Sequence, residues 1–276
     1  MKSLKPRLLT AAIGVPFCIL VIVLSELWLP TIRIIAGLAT SLMVFEYLNG
    51  RKLAKKLYLS IPCIAFPFAL LQLVITPYWF AAVFAFLFIV FVMGIFFHDK
   101  LDYSDIAYSL AGTLMICVGM GSFAYVCSNE ISLTFYFFLV LLLPWMSDVG
   151  AFFAGSLLGK HKLCPNISPK KTVEGAIGGI VMCVVSAVGM GLIFSIWVLP
   201  DVTVNFWALI VIALFDSVAS IVGDLSFSLI KRSLGIKDYG TIFPGHGGML
   251  DRFDSVIFTV PFVLIVNQFF PILTVG

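Results

Sequence analysis

Residues 228–254 read SLIKRSLGIKDYGTIFPGHGGMLDRFD and connect two apolar runs, at about 205–231 and 253–272. This segment is rich in lysine, aspartate and glycine, whereas the chain as a whole is 61% hydrophobic and only 11% charged. A soluble domain carries roughly 25% charged residues, so the composition excludes that class of protein. Polar residues at this density between two long apolar runs indicate a solvated loop or a functional site, and the glycines and paired aspartates favour a site.

Apolar runs recur along the whole chain, and each is long enough, at about 20 residues, to cross a hydrocarbon core ~30 Å thick. Lipid offers no partner for backbone N–H and C=O groups, so such runs form helices. The sequence therefore predicts an all-α, polytopic membrane protein with about nine transmembrane helices. The predicted spans lie at approximately 8–27, 31–50, 57–75, 77–97, 106–127, 134–155, 173–197, 205–231 and 253–272.

We interpret residues 1–276 as a single integral membrane domain. Residues 1–130 are expected to be mainly scaffold spans, because they contain few polar groups at membrane depth. Glu46 is an exception, but it lies near the inner end of its predicted span, where its carboxylate is expected to reach water. Acidic residues recur within or beside the later spans, where each costs ~2.5–3.5 kcal/mol on insertion. Residues 131–276 are therefore expected to hold the catalytic spans and cytoplasmic loops.

The distribution of basic residues predicts the orientation in the membrane. With a cytoplasmic N-terminus, 16 of the 17 lysines and arginines lie in inside segments, and only Arg33 lies near the outer face. The positive-inside rule predicts this asymmetry, which places the C-terminus outside. The net charge of +3 reflects loops that face anionic lipid, so it does not indicate nucleic-acid binding.

The eighth predicted span carries a polar stripe that includes Asp216, Ser217, Ser220, Gly223 and Asp224. Offsets of about four residues place most of these side chains on one helical face. A polar seam that joins helices is one interpretation of the stripe. The two carboxylates favour the other interpretation, in which the stripe lines a solvated cavity.

Three aspartates are candidate metal ligands. Asp224 lies near the end of the eighth span, and Asp251 and Asp254 can share a face at the start of the ninth. Mg²⁺ prefers one or two carboxylates together with substrate phosphates. Too few histidines and cysteines are in reach for a zinc site. The glycines before Asp251 let backbone N–H groups approach an anion closely, so the segment fits a bound phosphate.

A second polar block, residues 166–179, precedes the seventh span. Ser168-Pro169 is a plausible helix start, and the lysine pair that follows lies beside the positive end of that helix. Gly175 and Gly179 follow the small-xxx-small pattern of closely packed helices. Asp148 in the sixth span either lines the same cavity or forms a hydrogen bond between helices. Basic residues, paired carboxylates and glycines together indicate metal-dependent phosphoryl or nucleotidyl transfer between a cytosolic phosphate compound and a lipid.

The segment from Ser228 to Asp254 resembles the signature of the phosphatidate cytidylyltransferase (CDP-diacylglycerol synthase) family. That signature runs Ser, a spacer, apolar-Lys-Arg, four residues, Lys-Asp, a small residue, Pro-x-His-Gly-Gly, and apolar-x-Asp-Arg-x-Asp, and every fixed position is filled here. Residues 168–172 with Glu174, and Asp148 with Gly155 and Gly159, resemble the family's other polar blocks. The likeness is tight over about residues 145–254, whereas the N-terminal part resembles the family only in hydropathy.

The resemblance implies conversion of CTP and phosphatidate to CDP-diacylglycerol and pyrophosphate, with Mg²⁺ and K⁺, by a homodimer in the bacterial inner membrane. It implies an active site on the cytoplasmic side. The implied metal ligands are Asp224, Asp251 and Asp254. The implied catalytic residues also include Lys231, Arg232 and His246. The implied substrate-binding residues are Asp148, Ser168, Lys170, Lys171, Thr172, Glu174, Ser228, Lys237, Asp238, Gly247, Gly248 and Arg252.

Two other functions remain open at this point. A CTP-dependent lipid kinase acting on a polyprenol or phytol would transfer the γ-phosphoryl group instead of the nucleotidyl group. A secondary transporter would use the membrane carboxylates to bind cations. The polar residues cluster at one membrane face and not at mid-depth, which disfavours the transporter.

Overall fold

The computed structural model describes residues 4–129, 131–243 and 247–275, with side chains from residue 14 onward except that of Asn129. Helices dominate this part of the chain, with four short strands between them. The helices are α1 Leu4–Leu27, α2 Pro30–Gly50, α3 Leu57–Leu73, α4 Trp79–Phe96, α5 Tyr103–Asn129, α6 Leu133–Leu158, α7 Val173–Ile193, α8 Phe206–Ser233 and α9 Leu250–Phe269. A 3₁₀ turn at Leu53–Lys55 follows α2, and a π-helical turn at Phe194–Val198 continues α7.

The predicted all-α membrane fold is confirmed, but the prediction of about nine spans is not. Six helices in the described part of the chain, α2 and α4 to α8, are long and apolar enough to cross a membrane. Helix α3 is shorter than a span requires. The same holds for the part of α1 whose side chains the structure describes, Gly14–Leu27. The first turns of α9 contain Asp251, Arg252 and Asp254, which shorten its apolar part. Hydropathy therefore located the helices correctly, and six of them qualify as spans in the described part of the chain.

The sequence did not predict two small antiparallel β-ladders. Strand β1 (Lys162–Cys164) pairs with β2 (Ser168–Thr172), and β3 (Val202–Val204) pairs with β4 (Leu273–Val275). Ser168 and Pro169 consequently lie in a strand, so the prediction that they start a helix is wrong. Helix α7 begins at Val173 instead, where the Thr172 side chain accepts a hydrogen bond from the Gly175 N–H at 3.1 Å. Thr172 is the N-cap that completes the first turn.

The chain forms two compact units. The first contains residues up to 129 together with 233–253, and the second contains residues 130–232 and 254–276. In the first unit, α2 packs against α3 and α5 through fully buried residues that include Met43, Val44 and Leu48. Tyr47 of α2 stacks on Tyr108 of α5, with ring centroids 4.3 Å apart.

The second unit is built around a close approach of α6 and α7. A Cβ atom at Gly175 would lie 2.8 Å from the Ala151 carbonyl oxygen, and one at Gly179 would lie 2.9 Å from that of Ser147. Real Cβ atoms do not approach this closely, so only glycine allows the contact. The small-xxx-small prediction for these two residues is confirmed.

Candidate active site

The predicted site residues fall into both compact units. Gly247, Gly248, Asp251 and Arg252 belong to the first unit with Lys237 and Asp238, and the remaining residues belong to the second. His246 was predicted to be catalytic, but it lies outside the described residues.

In the first unit, Asp251 at the start of α9 binds the segment that precedes this helix. This segment contains Gly240, Gly247 and Gly248 and is called the glycine loop below. The Asp251 Oδ2 atom accepts hydrogen bonds from the backbone N–H groups of Tyr239, at 2.8 Å, and Gly248, at 3.0 Å. Gly247 has φ +88°, a conformation that L side chains rarely adopt. Asp251 is 6% exposed. Its position is therefore fixed by backbone groups on either side of the loop.

Glu46 also holds this loop, and the sequence did not predict that role. Its carboxylate accepts hydrogen bonds from the backbone N–H groups of Met249, at 3.1 Å, and Leu250, at 2.8 Å. The expectation that Glu46 reaches water is wrong, because only 3% of the residue is exposed. Free N–H groups at a helix start attract a carboxylate. The one signal in the sequence was an acidic residue within an otherwise apolar run.

Gly240 and Gly248 allow the Glu46 carboxylate to lie close to the backbone of the loop. A Cβ atom at Gly248 would lie 2.5 Å from its Oε2 atom, and a Cβ atom at Gly240 would overlap its Oε1 atom. The Tyr47 ring packs beside Tyr239 in the same region, with ring centroids 6.0 Å apart. The described residues of the loop are therefore held by α2 as well as by their own hydrogen bonds.

In the second unit, the β1–β2 hairpin carries the predicted anion-binding block. Lys171 on β2 forms an ion pair with Asp224 of α8, at 2.5 Å from Nζ to Oδ2. Glu174 accepts hydrogen bonds from the backbone N–H groups of Lys160, at 3.1 Å, and His161, at 3.2 Å. The His161 ring nitrogen Nδ1 lies 2.6 Å from Glu174 Oε1. Glu174 therefore ties the residues before the hairpin to the start of α7.

Asp254 lies near three other charged residues of the second unit. Its Oδ2 atom lies 3.9 Å from Lys231 Nζ, and its Oδ1 atom accepts a hydrogen bond from the Ser255 N–H at 2.9 Å. Asp224 and Asp148 are close enough for their negative charges to act on it. A cluster of carboxylates beside two lysines can attract a cation and hold phosphate groups next to it.

The other predicted residues differ in exposure. Ser228 and Ser168 are half-buried, whereas the exposed side chains are those of Asp148, Lys170, Arg232, Lys237, Asp238 and Arg252. The exposed basic side chains lie in both units, Lys170 and Arg232 in the second and Lys237 and Arg252 in the first.

The polar stripe of α8 divides into two parts. Asp224 is half-buried, but Asp216, Ser217 and Ser220 are 0% exposed. The Ser217 hydroxyl lies 2.9 Å from that of Ser147 on α6, which is a polar seam between helices. The interpretation of the whole stripe as the lining of a solvated cavity is therefore wrong for this deeper part.

The donor groups of the site fit Mg²⁺ by their chemistry. Carboxylates are the hard oxygen ligands that this ion prefers, and the predicted ones lie in both units, Asp251 in the first and Asp224 and Asp254 in the second. Within residues 4–129, 131–243 and 247–275, no group of three or more His, Cys, Asp or Glu side chains could hold an ion by itself. A magnesium–nucleotide site needs only one or two carboxylates, because phosphates and water complete the coordination.

The chain is similar in sequence to known proteins. The cytidylyltransferase family model matches residues 5–270. The phosphatidate cytidylyltransferase of Staphylococcus haemolyticus is 38% identical over 168 residues, which is 61% of each chain. The protein of the same name from Staphylococcus aureus (strain COL) is 36% identical over 179 residues, or 65% of each chain. The matched region thus spans less than two thirds of the length of these relatives.

Proposed function

Because the chain belongs to the cytidylyltransferase family, we propose that it transfers the cytidylyl group of CTP to phosphatidate, forming CDP-diacylglycerol and pyrophosphate. The family match over residues 5–270, together with the name that its relatives share, carries this proposal. The cluster of carboxylates and lysines in the second unit and the glycine loop in the first support it, because both suit polyphosphate chemistry.

Both substrates are polyanions, so the protein has to overcome their mutual repulsion. Lys170, Lys171, Lys231, Arg232 and Lys237 are the proposed phosphate-binding residues. Three of them, Lys170, Arg232 and Lys237, are exposed and available to incoming phosphates. Gly247 has a positive φ that allows close backbone approach to a phosphate, whereas the Gly248 N–H already donates to Asp251.

The proposed reaction is a direct in-line displacement. An oxygen of the phosphatidate phosphomonoester attacks the α-phosphorus of CTP, the new P–O bond forms, and the bond to the leaving pyrophosphate breaks. A phosphate monoester has a second pKa of about 6, so it is mostly dianionic at neutral pH. The reaction therefore needs no protein nucleophile and no strong general base.

Asp224, Asp251 and Asp254 are the proposed ligands of Mg²⁺, and K⁺ is the proposed second cation. When bound, Mg²⁺ neutralises charge that develops on the leaving pyrophosphate. Lys171 is proposed to control access to Asp224. In the structure its ammonium group neutralises the Asp224 carboxylate through an ion pair. A phosphate that binds Lys171 would draw this ammonium group away and leave the carboxylate available to a cation.

The remaining parts of the proposal concern location and assembly. Phosphatidate is a membrane lipid, and the six long apolar helices suit a protein that receives it laterally from the bilayer. The excess of basic residues in one set of loops supports an active site on the cytoplasmic side, with the N-terminus inside and the C-terminus outside. A homodimer in the bacterial inner membrane is the proposed assembly.

One assay tests the proposed reaction. Purified protein is supplied with Mg²⁺, phosphatidate and CTP labelled at the α-phosphorus, and the lipid fraction is followed. We expect label to appear in lipid with one pyrophosphate released for each nucleotidyl lipid formed. Release of CDP with label only in water-soluble nucleotide, and a phosphorylated lipid from a polyprenol, would indicate the lipid kinase instead. Cation-driven uptake into vesicles without CTP consumption would indicate a transporter.

A further inference from the structure

Helix α8 carries a second carboxylate, far from solvent, that the proposed reaction does not use. Asp216 is 0% exposed, and neither of its carboxyl oxygens has a hydrogen-bond partner. Among the ion pairs of the described residues, none includes Asp216. A buried charge without compensation is strongly unfavourable, so this carboxyl group requires a positively charged partner or a proton.

Two hydroxyl groups lie near the Asp216 carboxyl group, one on α8 and one on α9. Ser220 lies one turn further along α8 on the same face, is 0% exposed, and its Oγ atom also has no hydrogen-bond partner. Thr259 of α9 adjoins the Asp216 carboxyl group. Its hydroxyl donates to the Val256 carbonyl oxygen at 3.2 Å, so its oxygen lone pairs are left for a neighbour. The cluster is therefore rich in oxygen atoms whose lone pairs are unused.

An ordinary polar seam does not explain this cluster. The adjacent seam is complete, because the hydroxyl groups of Ser147 and Ser217 lie within hydrogen-bond distance of each other at 2.9 Å. Asp216 and Ser220 belong to the same stripe and are equally buried, but their oxygens lack such partners. A carboxylate with neighbouring hydroxyl oxygens is a set of ligands that suits a small cation.

We propose that Asp216, Ser220 and Thr259 form a binding site for an alkali cation within the second unit. A single carboxylate is neutralised by one positive charge, and the two hydroxyl oxygens add neutral ligands. Mg²⁺ fits poorly, because it dehydrates reluctantly and keeps several waters, which a fully buried site does not supply. The site lies eight residues before Asp224 on α8, about 12 Å along the helix axis. It is therefore separate from the proposed catalytic residues, and its test is independent of the proposed reaction.

Thermal unfolding of the purified full-length protein in detergent tests this site. The protein is compared in NaCl, KCl, LiCl and N-methylglucamine chloride at equal ionic strength, with EDTA present to remove divalent ions. One alkali cation is expected to raise Tm saturably, by about 5 °C at a hundredfold excess over its Kd. An equal Tm in all four salts overturns the proposal.

Four variants identify the residues responsible. Asp216→Asn should abolish the difference between salts, and Ser220→Ala should raise the cation concentration at half-effect by about tenfold, as expected for one lost ligand. Asp201→Asn, at an exposed loop position of the same unit, should behave like the parent protein. Asp251→Asn should also keep the salt effect, which separates this site from the proposed catalytic carboxylates.

The variants also define the results that contradict the site. A salt effect that persists in Asp216→Asn, or one that disappears in Asp251→Asn, overturns it. If Asp216→Asn does not fold, Ser220→Ala provides the test. The cation concentration that gives half of the Tm increase should be higher in this variant than in the parent. An unchanged concentration excludes Ser220 as a ligand and overturns the proposed site.

Discussion

The Glu46 carboxylate accepts a hydrogen bond from the Leu250 N–H at 2.8 Å, although 204 residues separate the two in sequence. Leu250 is the first residue of α9, and Asp251 follows it directly. Helix starts expose N–H groups that the helix itself cannot satisfy. In this protein, a side chain from the second helix satisfies two of them and so fixes where the proposed metal ligand Asp251 lies.

The first prediction concerns Glu46. Glu46→Gln retains one acceptor oxygen but places an amide NH₂ against a backbone N–H, so we expect a loss of ~1–3 kcal/mol in stability. If the loop position controls turnover, kcat/KM should fall at least about tenfold, since tenfold corresponds to ~1.4 kcal/mol. Thermal unfolding and the labelled-CTP assay measure the two effects. Asp102→Asn, at an exposed position of the same unit, is the control. Unchanged turnover in Glu46→Gln would show that the loop tolerates displacement.

The second prediction concerns Gly248. A methyl group there would lie 2.5 Å from the Glu46 carboxylate, so Gly248→Ala should displace the loop and lower turnover by about tenfold or more. Gly189 in α7 is the matched control, because a Cβ atom added there would have no neighbour within 4 Å. Alanine favours a helix over glycine by up to ~1 kcal/mol, so Gly189→Ala should be as stable as the parent or more so. Equal activity of both variants would contradict the steric argument.

The third prediction concerns the ion pair of Lys171 and Asp224. Lys171→Met should raise the KM for CTP by about tenfold to a hundredfold, because a charge-assisted phosphate contact is worth ~1.5–3 kcal/mol. Stability should change little, since both side chains are partly exposed and such pairs contribute ~0–1 kcal/mol. Steady-state kinetics with varied CTP provide the measurement. Lys162→Met removes an exposed lysine from the neighbouring strand and should leave the KM unchanged.

The fourth prediction concerns the cation requirement of the reaction. Chelation with EDTA should abolish nucleotidyl transfer, and added Mg²⁺ should restore it. Asp251→Asn should be inactive at any Mg²⁺ concentration while remaining folded and inserted. Its amide oxygen can still accept the hydrogen bonds of Tyr239 and Gly248, so thermal unfolding should resemble that of the parent. Near-normal turnover by this variant would remove Asp251 from the proposed metal ligands.

Much of the fold followed from local physical rules. Apolar runs located the helices, because lipid forces each one to satisfy its own backbone hydrogen bonds. The close packing of Gly175 and Gly179 followed from their spacing. The β1–β2 hairpin did not, since such short strands leave no clear periodic pattern in residues 162–172. Ser168-Pro169 therefore suggested a helix start, whereas the cap is Thr172.

The contributions of distant residues could not be predicted from local patterns. Asp251 was identifiable from the glycines and acidic residues around it. Glu46 was not, because its hydrogen bonds join segments some 200 residues apart and a lone acidic residue at a helix end normally faces water. Asp216 and Asp224 share one helical face, yet only the structure shows that one is enclosed and the other is accessible.

The long-range contact of Glu46 has a consequence for biosynthesis. At translation rates of 5–20 residues per second, about 10–40 s pass between the synthesis of Glu46 and that of Leu250. During this interval the carboxylate lacks the N–H groups that stabilise it, and it depends on water or a proton instead. A chain that ends before residue 249 therefore leaves the Glu46 carboxylate without the two N–H groups that bind it in the folded protein.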